Sequence, residues 1–310
     1  MNQNSVNPPL GEQPKKKKLI IIDSHALIHR AYHALPPLTT KKGEVINAVY
    51  GFLLVLLRAL REFQPDFVVA TFDFPGKTFR HQKFKEYKAT RPPAPDELYH
   101  QIPKIKEILS AFNIPIFEKE GFEADDIIGT ISKSVPKKQI FPKIETIILT
   151  GDLDTFQLID PQTKVYFFKK GVKDIVLYDE KMVEERYDLS SQQLVDFRAL
   201  TGDSSDNIPG VPGIGEKTAI KLLKEFGSLE NLYQELKLRS EKAKNLKDKL
   251  KNSLLEYKEQ TFFSKSLAKI NQNVDIDFKL EDCDWKKYDK EKAIEILKKL
   301  EFNSLIQRLP

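Results

Sequence analysis

Leu19-Ile20-Ile21-Ile22-Asp23 decides the fold: a short apolar, β-branched run that ends on a carboxylate. A continuous apolar run of this length reads as a strand buried on both faces. The pattern returns twice. Asp66 to Phe72 is a second buried-strand pattern, ending on Asp73, and Thr146 to Thr150 is a third, followed at once by Gly151 and Asp152. Between and beside these runs lie helical spacings of apolar residues at Val45 to Phe63, Leu98 to Phe112 and Glu123 to Ser132. Strands alternating with helices predict an α/β fold with a mostly parallel central sheet covered on both faces.

Ligands in such sheets bind beyond the carboxyl ends of the strands, which is where Asp23, Asp73 and Asp152 fall. Glu123, Asp125 and Asp126 open a helix, Asp154 follows Asp152 by two, and Asp203 and Asp206 lie in Thr201 to Asn207. Any one of these acids could be a helix cap or a turn residue, and Glu123 alone could serve the helix dipole. Nine of them at strand ends and helix starts are hard to explain as nine independent caps. Crowded carboxylates repel unless cations separate them. An all-oxygen donor set with no Cys or His cluster suits a hard ion such as Mg²⁺ or Mn²⁺ and disfavours zinc. Two such ions can hydrolyse a phosphodiester without a nucleophilic side chain. Neither a Ser-His-Asp arrangement nor a Gly-Lys-Ser/Thr phosphate loop is apparent.

From about Tyr187 the pattern changes to short helices separated by Gly and Pro: Ser190 to Leu200, Glu216 to Phe226, Leu229 to Leu236, Lys242 to Ser266 and Lys290 to Leu300. Within 207–226, Gly213-Ile214-Gly215 opens a helix. Glycines let backbone approach a phosphate, and free N–H groups at a helix start donate to it. Lys217 and Lys221 share one helical face and add charge. An ordinary tight helix–helix turn is the alternative; the two lysines, the following helix and the acids upstream favour a phosphate contact, which reads the DNA backbone and not its bases.

The 310 residues are 40% hydrophobic and 31% charged, with 50 Lys and Arg against 45 Asp and Glu, a net charge of +5. The total decides nothing. Its distribution is more telling: basic residues crowd 77–91 and 237–251, beside the acidic motifs. No apolar run approaches the roughly 20 residues of a membrane span. Residues 1–18 are expected to form a polar, basic, disordered tail without an apolar signal region, and the lone Cys283 excludes an internal disulfide; a cytoplasmic location fits. The expected division is therefore tail 1–18, α/β core 19–187 and helical region 188–310.

The motifs resemble the 5′-nuclease (5′–3′ exonuclease) domain of bacterial DNA polymerase I, related to phage 5′ nucleases and flap endonucleases. The resemblance rests on IIDSHALIHRAYHAL from Ile21, AVYGF from Ala48, FDFPGKTFRHQKFKEYKATRP from Phe72 and GFEADDIIGT from Gly121. Further on, it rests on LTGDLDTFQLI from Leu149, FRALTGDSSDNIPGVPGIGEKTAIKLL from Phe197 and LEFNSLIQRL at the end. It implies a PIN-like nuclease core, and two Mg²⁺ ions, replaceable by Mn²⁺, on the nine acids. It also implies a basic arch over the site at about 75–95, carrying Lys77, Arg80, Lys83, Lys85, Lys88 and Arg91. By the same resemblance Lys88 stabilises charge on the scissile phosphate, Arg80 contacts phosphate and Tyr87 stacks on a base. The hairpin at 210–217 grips duplex DNA in a helix-hairpin-helix-type element and holds a potassium ion. The expected substrate is DNA with a 5′ flap, nick or free 5′ end, cut by a monomer with a polymerase acting in trans. Gly151 and Leu153 stand where the family commonly has Ala and Lys, and Ser204 where an acid is common, so a positive charge near Asp152 is expected to be missing. The resemblance leaves open whether the chain is a free-standing nuclease or a fragment. A non-catalytic junction clamp, a PIN-like ribonuclease and a small-molecule phosphatase are the alternatives. A clamp that lost its metals would lack several acids, and none is missing. The ribonuclease gives no reason for the glycine hairpin and the basic helical half, and the phosphatase none for the arch lysines.

Overall fold

The computed structural model describes residues 16–135 and 144–310. Strands and helices alternate through the first half: β1 (Lys17–Asp23), α1 (Ser24–Ala34), α2 (Asn47–Phe63), β2 (Phe67–Thr71), α3 (Phe79–Lys83), α4 (Asp96–Tyr99), α5 (Ile102–Ala111), β3 (Ile116–Phe117), α6 (Ala124–Ser134), β4 (Ile144–Thr150), β5 (Thr163–Lys170), β6 (Asp174–Tyr178) and α7 (Glu180–Tyr187). The sheet order is β3-β2-β1-β4-β5-β6, with every pair parallel except β5 with β6. Leu19 to Ile22 of β1 are fully buried, because one sheet face packs on α1, α2 and α5 and the other on α6. An unalternating apolar strand requires that two-sided cover.

The second half is helical: α8 (Leu194–Thr201), α9 (Glu216–Phe226), α10 (Leu229–Leu238), α11 (Glu241–Lys244), α12 (Asp248–Glu256), α13 (Lys258–Ala268), α14 (Lys290–Lys299) and α15 (Asn303–Ile306). Its own core gathers Phe197, Leu222, Leu223, Phe226, Leu232 and Leu254. No helix among the described residues is long and apolar enough to cross a membrane.

Several expectations change here. The proposed tail lies largely outside the described residues, but Lys17 and Lys18 belong to β1, paired with Ile144 and Glu145. The helix expected over Leu98 to Phe112 is two helices, and that over Lys242 to Ser266 is three. Strands β3, β5 and β6 are not among the expected strands. The chain's end does not stay with the helical region: Trp285, Ile296, Leu297, Leu300, Phe302 and Leu305 pack into the core of α2 and α5.

Candidate active site

Because β2, β1 and β4 are parallel neighbours, Asp23, Asp73 and Asp152 emerge together at one sheet edge. Each is tied down as it emerges. Asp23 caps α1 by accepting from the Ala26 N–H (3.1 Å), and it also accepts from the Thr150 hydroxyl (2.5 Å). Asp73 accepts from the Ala124 N–H (2.7 Å), which joins the β2 end to the α6 start, while its own N–H donates to His25 Nδ1 (3.0 Å). Asp152 caps the 3₁₀ turn Leu153–Leu158 through the Asp154 N–H (2.8 Å). Glu123 caps α6 in a reciprocal box with Asp126. These candidate ligands are thus held by helix-start hydrogen bonds, which is how the fold fixes their carboxylates at the edge.

Charge is concentrated in two foci that share Asp152. On one side, Asp125 is pushed well above the usual carboxylate range by burial, then by Asp152 and Asp23. Burial likewise pushes Asp23 up to about 7 against the Thr150 and Ala26 hydrogen bonds, with Asp73 and Asp152 adding to the rise. On the other side, burial and then Asp152 push Asp154 up to about 7, with Asp203 and Asp206 contributing. Asp152 itself is raised by burial, partly offset by the Asp154 N–H and Lys88. Asp203 and Asp206 are delivered by a loop whose ends cross at Gly202 and Gly210. A Cβ at Gly210 would lie 2.4 Å from the Thr201 carbonyl carbon, and one at Gly202 2.6 Å from the Gly210 nitrogen.

Among the described residues, no three His, Cys, Asp or Glu are already gathered in metal-ligand geometry. Cations of the protein lie between the acids instead. Lys88 Nζ sits 3.0 Å from Glu123 and 3.9 Å from Asp206, and Arg91 pairs with Asp206. Arg198, not anticipated as a site residue, lies 3.2 Å from Asp154 and 3.7 Å from Asp203. It supplies a positive charge close to where the departure at Leu153 suggested one was missing. Its position in FRALTGD, five residues before Asp203, was the available signal. His25, two residues after Asp23, is likewise an unanticipated neighbour, its ring held edge-on to Phe72. A cavity of about 460 Å³ opens on this edge between Asp23, Asp125, Asp152, His29, Arg91 and Pro95. A larger one, about 800 Å³, lies at the opposite sheet edge beside Lys18, Leu57 and Trp285, where none of the nine acids reaches.

Three residues have partners other than those expected. Arg80 is only 3% exposed. Its guanidinium binds both oxygens of Asp126 (2.7 and 2.8 Å) and donates to the carbonyls of Leu267 (2.8 Å) and Lys269 (3.1 Å). It cannot meet a phosphate while it holds them. Asp126 is fully buried, and its oxygens also accept from the N–H groups of Glu123 (3.1 Å) and Asn271 (2.8 Å). With four donors on two oxygens, it serves this ion pair and not a metal ion. Tyr87, expected to stack on a base, is 3% exposed, and its hydroxyl donates to Glu123 or Asp206, each 3.1 Å away. Phe84 and Tyr87 pack with Ile208, Phe263 and Leu267, so the arch base is docked and is not a free loop. Lys77, Lys83, Lys85 and Arg91 are exposed, whereas Lys88, with φ +55°, is half-buried over the acids.

At the hairpin, Gly213 has φ +80°, and a Cβ there or at Gly215 would meet nothing within 4 Å. Nothing inside the protein demands glycine at 215, so the bare surface is open to an approaching backbone. Gly215 precedes α9 without a side-chain cap, and Lys217 and Lys221 are exposed beside it.

An acid-lined parallel sheet edge, a basic arch and a glycine hairpin together define a nuclease-type α/β architecture. Residues 18–188 match the 5′-3′ exonuclease N-terminal resolvase-like domain, and residues 189–291 match the 5′-3′ exonuclease C-terminal SAM fold. The chain belongs to the 5′-3′ exonuclease family. It is 43% identical over 295 residues to DNA polymerase I of Bacillus subtilis (95% of this chain, 32% of that protein). It is 45% identical over 300 residues to DNA polymerase I of Caldicellulosiruptor bescii (94% and 33%). The chain thus spans about a third of the length of these curated relatives. The phage T5 5′-exonuclease, solved with zinc ions, shares the fold at TM-score 0.66 and 19% identity, covering 94% of this chain and all of that one. The catalytic core of Rad2 in complex with DNA substrate shares it at TM-score 0.59 and 17% identity, covering 96% of each chain.

Proposed function

We propose that this chain is a structure-specific 5′ nuclease that hydrolyses DNA phosphodiesters at 5′ flaps, nicks and free 5′ ends. The observation that carries the reading is the pair of acidic foci sharing Asp152. Like charges that push one another's carboxyls upward fit two hard cations held on oxygen alone. We assign Asp23, Asp73, Glu123 and Asp125 to one focus, Asp154, Asp203 and Asp206 to the other, and Asp152 to both. Mg²⁺ is the expected ion, with Mn²⁺ able to replace it. When bound, two such ions activate water and stabilise the leaving oxygen, leaving a 5′-phosphate and a 3′-hydroxyl.

The protein's own groups do the rest. Lys88 and Arg91, now paired with Glu123 and Asp206, are placed to exchange those carboxylates for the scissile phosphate. Lys88 is the cation we assign to the developing charge. Lys77, Lys83 and Lys85 attract the strand to the arch, while the 210–217 hairpin, with a potassium ion as in the family, holds the duplex by its phosphates. The relatives named DNA polymerase I and the DNA-bound Rad2 core support a role in primer removal at Okazaki fragments and in repair. In this reading the chain acts in the cytoplasm as a monomer.

The test is cleavage of a 5′-flap duplex labelled on the flap strand, in Mg²⁺ and in EDTA, with Asp152→Ala as control. Products near the branch point, formed only in Mg²⁺ and absent with the variant, are expected. Tight binding without cutting in either Mg²⁺ or Mn²⁺ would replace the nuclease with a junction clamp.

A further inference from the structure

Three side chains on α12 and α13 hold the hairpin from behind. Ser253 Oγ donates to the Pro212 carbonyl (2.8 Å), Gln260 Nε2 to that of Gly210 (2.8 Å) and Ser264 Oγ to that of Pro209 (2.6 Å). Three carbonyls of the loop, those of Pro209, Gly210 and Pro212, are therefore satisfied by one helical pair, while Gly213 and Gly215 face open space. The same pair continues past the hairpin into the basic segment 237–251. Lys249 lies one turn before Ser253 on the same face of α12, since residues four apart are neighbours on a helix. Lys247 is the residue immediately preceding that helix.

The charge of this edge is only partly neutralised within the chain. Lys244 pairs with Glu241 (2.6 Å) and Lys251 with Asp248 (3.4 Å). Lys237, Arg239, Lys242, Lys247 and Lys249 are exposed, and none has an ion pair among the described residues. The segment contains no aromatic residue, so it lacks the stacking platform that single-stranded nucleic acid needs. Unneutralised cations without stacking partners, continuous with a backbone-reading hairpin, match the phosphates of a duplex.

We propose that the α11–α12 edge is a second phosphate track, which carries the duplex arm onward from the hairpin and lengthens the DNA footprint. Ser253, Gln260 and Ser264 are positioning residues that lock the hairpin to this track. The inference rests on the DNA-binding reading given above.

Binding of flap substrates with a short or a long duplex arm, followed by fluorescence anisotropy in EDTA across a salt series, tests it with Lys247→Gln/Lys249→Gln. The wild-type chain should bind the long arm more tightly than the short one. The double variant should lose that gain and show a salt slope on the long arm lower by about 2, roughly one per lysine removed. Its binding and cleavage of the short-arm flap, which does not reach the track, should match the wild type. The track is overturned if the wild-type chain gains nothing from the longer arm, if the variant keeps the full gain and slope, or if it loses affinity equally on both arms. Failure of the wild-type chain to bind any flap DNA would instead sink the nuclease reading itself.

Discussion

Asp154 lies 3.2 Å from Arg198 and still has its carboxyl pushed up to about 7, because burial and Asp152 outweigh the guanidinium. A carboxyl near 3.8 when unfolded and about 7 when folded binds more protons in the native state between those values. Its contribution to stability is full below the lower value and is lost as pH rises through the higher one. In EDTA, therefore, Asp154→Asn should lose less stability than the wild type on going from about pH 5 to about pH 8, a difference on the order of 1–3 kcal/mol. Thermal melts at the two pH values measure it, and parallel pH dependence of both proteins would mean that Asp154 is not crowded. Lys88 poses the complementary question of a cation among acids. Lys88→Ala should slow single-turnover flap cleavage by about 10²-fold while weakening binding only a few-fold, since its charge is needed most as the phosphate reacts. Equal losses in both would reduce Lys88 to an ordinary phosphate contact.

Among the elements, the loop bearing Asp203 and Asp206 depends on two glycines whose backbones cross. Gly210→Ala would drive a Cβ into the Thr201 carbonyl, which cannot yield as a flexible side chain can. It should cost about 1–3 kcal/mol or more of stability and reduce cleavage by displacing both acids, even though neither is altered. Wild-type activity with an unchanged melt would show that the crossing can relax. This dependence was legible only in outline: the motif reading placed Asp203 and Asp206, but which glycines touch across a loop is a tertiary fact. The legible elements were those whose period is local and whose burial is one-sided or complete. Examples are β1 as an unbroken apolar run and α9, whose observed limits Glu216–Phe226 coincide with the expected ones. Strand β6 escaped because Ile175, Val176 and Leu177 at a sheet edge are only half-buried, between acidic and lysine-rich flanks. Site acids at strand ends could be read one by one, since strand, carboxylate and helix start follow one another in sequence. The roles of Arg80, Asp126 and Tyr87 could not, because each is decided by partners from other segments, as far as 189 residues away for the Arg80 bond to Lys269.

Those long-range partners determine how the molecule holds together. Arg80 on α3 reaches the α6 start through Asp126 and the end of α13 through the Leu267 carbonyl, while Asn271 donates to the same carboxylate. Gln157 adds a second stitch, donating to the Ala268 carbonyl (3.1 Å) and accepting from the Ile270 N–H (2.9 Å). The arch base, the acidic edge and the helical region are therefore joined at one buried point, while α14 and α15 return to the other sheet face, in the core of α2 and α5. Arg80→Ala would leave the Asp126 carboxylate buried without its counter-ion, a loss of about 3–5 kcal/mol. Lysine cannot replace the planar fork that spans a carboxylate and two carbonyls, so Arg80→Lys should rescue little of it. Trp285, the only tryptophan, sits in the α/β core and reports that half, whereas far-ultraviolet circular dichroism reports helix throughout. For the wild-type chain the two signals should fall together in a denaturant titration. For Arg80→Ala the dichroism should fall first, because the helical region has lost its buried anchor while the sheet keeps its two-sided cover. Coincident transitions shifted by less than about 1 kcal/mol would mean that apolar packing alone, such as Phe84 on Phe263, couples the halves and that Arg80 only neutralises its neighbour.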